Sequence, residues 1–123
     1  MFFLKRVIAG RAAIQTSNER SLMQEATVTL YQRFLSENKL AEKNIISLHF
    51  SLTADLTAAN PATLLRSAGY LSDTPLFCSV EPDIHGSPGQ LIRMLFYYYG
   101  TKKAVPVYLG GAEKLRPDIF PHE

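Results

Sequence analysis

Residues 77–85, FCSVEPDIH, place a thiol, two carboxylates and an imidazole close together at the end of an apolar run. Cys78 is the single cysteine of the chain, and Glu81, Asp83 and His85 follow it within seven residues. Such a segment suits a metal site, a substrate pocket at a strand end, or a strand followed by a polar turn. Zinc sites favour closely spaced pairs of cysteine and histidine, which are missing here, so we expect no metal. A pocket and a polar turn beside a Cys78 that packs as a small apolar residue both stay open.

Three arginines are candidates for binding an anion. Arg93 lies inside the apolar run LIRMLF, where an arginine must be paired or serve an anion because burying it alone is costly. Arg66 in NPATLLR and Arg116 in LRPD are the other two, and each of the three, taken alone, is more often a surface or salt-bridged residue. His49 and His122 have no partner that the sequence identifies, and we expect both at the surface.

The composition predicts one soluble domain, residues 1–123. The chain is 46% hydrophobic and 20% charged, with 13 basic and 11 acidic residues scattered along it. No basic tract predicts binding to nucleic acid or to a membrane, and LGGAEK lacks the spacing of a phosphate-binding loop. The run FYYYG predicts core or a subunit interface. A single cysteine fits a reducing cytoplasm, and no apolar stretch has the length of a membrane span.

The elements that must position these residues alternate between strands and helices. Residues 2–9 predict a first strand, which Gly10 ends, and the start of the chain resembles a strand more than a signal peptide. A helix of about 20 residues follows the capping residues 16–18, because apolar residues recur there at every fourth position: Leu22, Ala26, Leu30 and Phe34.

The second half of the chain predicts a short helix and four more strands. Segment 44–53 alternates, with Ile46, Leu48, Phe50 and Leu52 on one face and Ser47, His49 and Ser51 on the other. A helix runs from Pro61 to a stop at Gly69, and strands follow at 74–80, 90–99 and 104–109, before an irregular tail. The order β-α-β-α-β-β-β predicts an α/β or α+β fold, with helices packed on a mixed sheet.

Several segments, in order, resemble the AroH type of chorismate mutase, the monofunctional bacterial class that forms a trimeric α/β-barrel. The resemblance runs from about residue 18 to residue 119. Its most specific parts are Pro61-Ala62 with Arg66, Cys78-x-x-Glu81, Ile92-Arg93, Val107-Tyr108-Leu109 and Leu115-Arg116-Pro117-Asp118. It implies an α+β, AroH-like fold, with helices on a mixed sheet, that assembles as a homotrimeric pseudo-α/β-barrel with active sites between subunits.

The chemistry that this resemblance implies needs no cofactor. Chorismate mutase is an isomerase of aromatic amino acid biosynthesis, and it rearranges chorismate to prephenate by an intramolecular Claisen reaction. The protein holds a compact conformer of a dicarboxylate and stabilises charge on the departing ether oxygen. By resemblance, Arg93 donates to that oxygen and Glu81 holds the substrate hydroxyl. Substrate-binding roles are implied for Arg66 at the pocket mouth, for Phe77, Cys78, Ser79 and Val80 beside the substrate, for Tyr108 at a carboxylate, and for Arg116 in a covering tail.

The N-terminal segment departs from the family pattern. The family signature is close to RGATT, whose arginine grips a carboxylate, and here AGRAAIQ aligns that arginine with Ala9, Gly10 or Arg11. We expect Arg11 to replace it only if a local gap or bulge turns it into the pocket, because a shift of one residue reverses the strand face. Asn60 and Thr63 replace an aromatic residue and a lysine. Two alternatives therefore remain: a related trimer that acts on a modified chorismate in a specialised pathway, or a non-catalytic protein that binds a small carboxylate.

Overall fold

The computed structural model describes residues 4–121, and their elements follow the predicted order β-α-β-α-β-β-β. The two helices are α1 (Arg20–Glu37) and α2 (Pro61–Ser67). The strands are β1 (Arg6–Gln15), β2 (Ile45–Leu52), β3 (Leu76–Val80), β4 (Leu91–Gly100) and β5 (Val107–Leu109). Short 3-10 helices span Glu42–Asn44 and Ala112–Leu115. Within the described residues, no helix is long and apolar enough to cross a membrane.

The five strands form one mixed sheet in the order β3-β2-β4-β1-β5. Strand β4 lies at the centre and pairs antiparallel with both β2 and β1. The edge strands β3 and β5 run parallel to their neighbours, and α2 makes the crossover from β2 to β3. The predicted α+β fold with a mixed sheet is confirmed. Arg93 lies on the central strand, β4, which is paired with a long strand along each edge.

Both helices pack on one face of the sheet and form the main core with it. Apolar side chains from α1 and α2 meet every second residue of the strands, because strand side chains alternate between faces. The core includes Leu30, Phe34, Leu64, Leu48, Phe50, Met94 and Phe96. The rings of Phe34 and Phe96 stack with centroids 4.0 Å apart and planes 9° apart.

Helix α1 differs from the prediction in its first turn. Three of the four residues predicted for its apolar stripe are buried, but Leu22 is 38% exposed and Met23 is buried in its place. The cap position is Glu19, whose side chain makes no capping hydrogen bond, and of the predicted capping residues Thr16 contacts the first turn only as a donor, to the carbonyl of Leu22 at 3.3 Å. The carboxamide oxygen of Asn18 instead accepts hydrogen bonds from the backbone N–H groups of Thr57 and Ala58.

Strand β1 runs through Gly10, so the prediction that this glycine ends the strand was wrong. Gly10 faces the core, and a Cβ there would overlap the ring of Phe34 and lie 3.0 Å from Cβ of Ala104. The glycine therefore makes room for the helix instead of breaking the strand. As a result, β1 pairs continuously with β4 from Arg6 to Gln15, and Arg11 lies within the sheet.

Three strand boundaries or faces also differ from the prediction. Strands β3 and β5 begin later than the predicted residues 74 and 104: β3 begins directly after Pro75 and β5 directly after Pro106. Proline delays each start because it has no N–H to donate to a neighbouring strand. In β2, a bulge between Ile45 and Ser47 buries Ile45 at 7% exposure where Ile46 was predicted to face the core.

The sheet face away from the helices is here called the open face. At one end it is covered by the C-terminal segment, where Ala13, Leu91 and Tyr108 pack with Ala112, Leu115 and Phe120. The rings of Tyr108 and Phe120 have centroids 5.2 Å apart. Along the rest of this face and its edge, large apolar side chains are exposed: Val7, Phe77, Leu95, Tyr97 and Tyr99.

Candidate active site

A cavity of about 340 Å³ opens on the open face, beside the C-terminal segment. Its lining includes Arg11, His49, Ser51, Arg93, Leu95 and Tyr108, drawn from β1, β2, β4 and β5. Strand pairing explains why these side chains line one cavity, because Arg11 lies opposite Leu95 and Ser51 lies opposite Arg93. Paired residues point to the same face of a sheet. We call this cavity the open-face pocket.

Arg93 and Glu81 form an ion pair at this pocket. Arg93 Nε lies 2.6 Å from Glu81 Oε1, and the two side chains are 40% and 19% exposed. Arg93 Nε is shielded from water, and within residues 4–121 its close neighbour is this carboxylate oxygen, although the N–H direction is not that of a good hydrogen bond. Glu81 is therefore the charge partner of Arg93, and a ligand in the pocket can reach the guanidinium through its exposed part.

The carboxylate of Glu81 is held in place by its neighbours on β2. The backbone N–H of Glu81 extends the hydrogen bonding between β2 and β3 by donating to the carbonyl of Leu52 at 2.7 Å. The hydroxyl of Ser51 donates to Glu81 Oε1 at 2.9 Å. The same oxygen therefore receives the hydroxyl and faces the guanidinium of Arg93, which orients both side chains.

The start of β4, which carries Arg93, is held by the loop after β2. The hydroxyl oxygen of Thr53 accepts from the N–H of Leu91 at 3.0 Å, and the carboxylate of Asp55 accepts from the N–H of Gln90. The hydrogen bond from the Thr53 hydroxyl also holds the pKa of Asp55 below its usual range. These contacts fix where β4 enters the sheet, two residues before Arg93.

Arg11 points into the open-face pocket without any gap or bulge in β1. The register places Ala9 and Arg11 on the open face, and Gly10 on the core face between them. Of the three positions that align with the family arginine, two therefore share the face of Arg93. Arg11 is exposed and lines the pocket, and its role in binding a substrate carboxylate stays a prediction.

Tyr108 and Arg116 lie at the end covered by the C-terminal segment. Tyr108 is 7% exposed and pairs with Ala13 across β5 and β1. Arg116 is bound by both carboxylate oxygens of Asp118, at 2.7 and 3.0 Å, and that contact raises the pKa of the guanidinium. Arg116 and Arg11 both line a neighbouring cavity of about 400 Å³.

Of the predicted site residues, only Arg11, Arg93 and Tyr108 line the open-face pocket within one described chain, from residue 4 to 121. The guanidinium of Arg66, on α2, donates to the carbonyl of Thr74 at 3.1 Å. Phe77 and Val80, on edge strand β3, are 71% and 66% exposed. Cys78 packs against the main core, and burial raises the pKa of its thiol. The substrate-binding roles of these residues stay predictions.

The thiol, the two carboxylates and the imidazole of segment 77–85 do not converge on one point in the structure. Among residues 4–121 no group of three or more His, Cys, Asp or Glu side chains is placed to hold a metal ion. Glu81 turns to Arg93 and Cys78 to the core, while Asp83 and His85 are exposed in the turn that follows β3. This segment therefore combines a polar turn with one carboxylate, Glu81, that pairs with the pocket residue Arg93 and itself lines a separate cavity with Asp83.

Comparison with known proteins identifies the family. A sequence model described as "Chorismate mutase type I" matches residues 7–119. The chain belongs to this family. Two curated relatives are both named Chorismate mutase AroH. The one from Bacillus subtilis (strain 168) is 28% identical over 120 residues, 93% of this chain and 91% of the relative. The one from Thermus thermophilus is 30% identical over 118 residues, 93% of this chain and 95% of the relative.

A solved structure supports the same assignment. The chorismate mutase from Clostridium thermocellum has a TM-score of 0.81 to this chain at 34% identity, over 86% of this chain and 97% of that one. The resemblance to the AroH type of chorismate mutase is confirmed, and so is the type I chorismate mutase fold.

Within this type I chorismate mutase fold, two pocket residues were missed from the sequence. Ser51 holds Glu81, and His49 Nε2 lies 2.8 Å from the hydroxyl oxygen of Ser79 on β3. The alternation of β2 does place both on one polar face, but their partners are contributed by β3 and the turn after it. Asn60, which replaces an aromatic residue of the family pattern, caps α2 by accepting from the N–H of Ala62 at 2.9 Å.

Proposed function

We propose that this protein is a chorismate mutase that converts chorismate to prephenate at the open-face pocket. In this reaction the ether C–O bond breaks as a new C–C bond forms within one molecule, so no cofactor and no proton transfer is required. Family membership over residues 7–119 supports the activity. The observation that carries the site assignment is the ion pair of Arg93 with Glu81, which holds a partly exposed guanidinium in the lining of the open-face pocket.

Arg93 is assigned to the ether oxygen and Glu81 to the substrate hydroxyl. As the C–O bond breaks, negative charge grows on the ether oxygen, and a guanidinium already in place stabilises it without reorganisation. The ion pair with Glu81 and the hydroxyl of Ser51 keep that guanidinium fixed. Arg11 and Tyr108, on the neighbouring strands, are assigned to the carboxylates.

The direct test is to mix the purified protein with chorismate and to follow prephenate formation against the uncatalysed reaction. An acceleration that saturates with chorismate is expected. Protein that is folded and assembled, yet leaves the uncatalysed rate unchanged, would contradict the proposal.

We further propose that the protein works in aromatic amino acid biosynthesis in the cytoplasm. The family named in the comparisons supports the pathway. A chain with one cysteine forms no internal disulfide, which fits a reducing compartment.

A homotrimer is the proposed assembly, with sites completed between subunits. The open face exposes large apolar side chains on β1 and β4, including Val7, Leu95, Tyr97 and Tyr99. A contiguous apolar surface of this kind marks an interface, and a closed ring buries it on every subunit. The exposed edge strand β3, with Phe77, is then available to a neighbouring subunit's pocket.

Sedimentation tests the trimer. At micromolar concentration we expect a single species of about three times the 13.8 kDa mass of the chain, because three copies bury the apolar open face. Tyr97→Glu, which places a charge on that face, should shift the protein toward monomer, whereas Glu25→Lys on α1 should not. A stable wild-type monomer at this concentration would overturn both the trimer and the shared site.

Arg11→Ala is expected to raise KM more than it lowers kcat. A carboxylate that is bound equally in the ground and transition states contributes uniform binding, which appears in KM. Charge-assisted pairing of this kind corresponds to a loss of about ten- to a hundred-fold in kcat/KM. Steady-state kinetics measures both constants, with Arg33→Ala on the exposed side of α1 as the matched control. A silent Arg11→Ala in an efficient enzyme would mean that another cation binds the carboxylate.

A further inference from the structure

His49 is a titratable residue of the open-face pocket to which the proposed function gives no role. It lies on β2 opposite Leu95 of β4, and two residues before Ser51, which holds Glu81. The hydroxyl of Ser79 on β3 lies 2.8 Å from His49 Nε2. The imidazole is therefore oriented by one ring nitrogen, and the other, Nδ1, makes no hydrogen bond with residues 4–121 and can bind a ligand.

The charges around the pocket leave a need for a second cation. Chorismate carries two carboxylates, while the positive charge of Arg93 is already matched by Glu81. Arg11 makes no ion pair with any residue from 4 to 121, so it supplies one unmatched positive charge. Tyr108 contributes a hydrogen bond through its phenol hydroxyl. Among the residues of one chain that line the pocket, His49 is therefore the remaining candidate for a second cation, beside any cation that a neighbouring subunit contributes.

We propose that protonated His49 binds a carboxylate of the substrate and that Ser79 positions its ring; this inference rests on the proposed function. In the imidazolium both nitrogens donate, so Nε2–H is directed to the Ser79 hydroxyl and Nδ1–H to the carboxylate. A dianionic ligand prefers the charged ring, so its affinity is full at low pH and declines as the ring loses its proton.

The neighbours of His49 allow this decline to be assigned to it. Strand β3 presents Phe77 and Ser79, β4 presents Leu95, and none of these carries a charge. The charged or titratable groups on the open face nearby are Glu81, Arg93, Arg11, Tyr97 and Tyr108. Carboxyl, guanidinium and phenol groups ordinarily titrate outside the range from about pH 5.5 to pH 8.5, in which an imidazole changes charge.

The test is the dependence of kcat and KM on pH for wild type and three variants. Between about pH 5.5 and pH 8.5, kcat/KM of the wild type should fall about tenfold, through a rise in KM. His49→Gln should be flat at the value that the wild type has at high pH. His49→Lys should keep much of the low-pH value across the range, and the matched control His85→Gln, in the exposed turn, should follow the wild type. A His49→Gln enzyme with the wild-type decline, a flat wild-type profile, or a decline confined to kcat would overturn the proposal.

A second measurement separates this proposal from the proposed function. The ring protons of His49, assigned by their loss in His49→Gln, are titrated by NMR with and without saturating chorismate. Carboxylate binding shifts the titration midpoint of the ring to higher pH. If wild-type protein forms no prephenate at any pH, the proposed function fails and this titration alone decides the role of His49. An unmoved midpoint overturns that role, whether or not the enzyme turns over.

Discussion

Replacing Arg93 with alanine is expected to lower kcat by about two to three orders of magnitude, the range typical of losing one donor to a developing oxyanion. The guanidinium is assigned to an interaction that strengthens only as the ether bond breaks, so the loss should appear in turnover more than in KM. The side chain is 40% exposed and lies on the open face, outside the main core. We therefore expect the variant to fold and assemble as the wild type does.

Arg93→Lys separates the charge from the geometry of the guanidinium. A lysine keeps the positive charge but donates from one point, so it should recover only part of the turnover. Arg20→Ala, at the exposed start of α1, removes an arginine elsewhere and should leave kcat unchanged. An Arg93→Ala protein that assembles normally and retains near-normal turnover would show that the assignment of this residue is wrong.

The sequence identified much of the candidate site because its chemistry is concentrated in short segments. An arginine within an apolar strand and a Cys-x-x-Glu segment at a strand end were both visible, and the resemblance assigned Arg93 and Glu81 to one site. The structure brings these two residues into direct contact across β2, the strand between β3 and β4, and Ser51 on β2 donates to the same Glu81 oxygen. That contact depends on the sheet order and register, which are set by long-range packing and leave no local pattern.

His49 illustrates the same dependence on long-range pairing, for a residue that the sequence did not assign to the site. Its alternation with Ser47 and Ser51 correctly predicted a polar face of β2, on which His49 is exposed and the two serines are half-buried. Its hydrogen bond to Ser79 depends on the parallel pairing of β2 with β3, and its place in the pocket depends on β1, β4 and β5. A residue whose partners all lie on other strands cannot be distinguished from a surface residue by its own neighbours in sequence.

The elements of the fold followed from periodicity, and the errors lie where tertiary packing overrides a local preference. Glycine weakens a strand in isolation, so ending β1 at Gly10 was the natural prediction. The structure continues the strand because the ring of Phe34 occupies the space that a side chain at position 10 would need. That packing also carries the strand on to Arg11, so the core contributes to the geometry of the pocket on the opposite face.

Phe34→Ala is expected to lower the free energy of unfolding by about 3–5 kcal/mol, the range for removing a fully buried aromatic side chain. Phe34 is 0% exposed and stacks on Phe96 with ring centroids 4.0 Å apart. Denaturant unfolding at a fixed protein concentration measures the change, since assembly would make stability depend on concentration. The matched control is Leu22→Ala on the same helix, which is 38% exposed and should cost much less.

The same pair of positions gives a sharper form of this prediction. Gly10→Ala should destabilise the wild type by about 1–3 kcal/mol, because the new methyl overlaps the Phe34 ring. In the Phe34→Ala background the ring is gone, so Gly10→Ala should cost less there or become neutral, and the difference measures the coupling of the two residues. Equal costs in both backgrounds would mean that the Phe34 ring is not the reason for the glycine, and would leave the close approach of Ala104 or the backbone itself as the cause. A Phe34→Ala protein within about 1 kcal/mol of the wild type would remove the packing explanation for the path of β1 altogether.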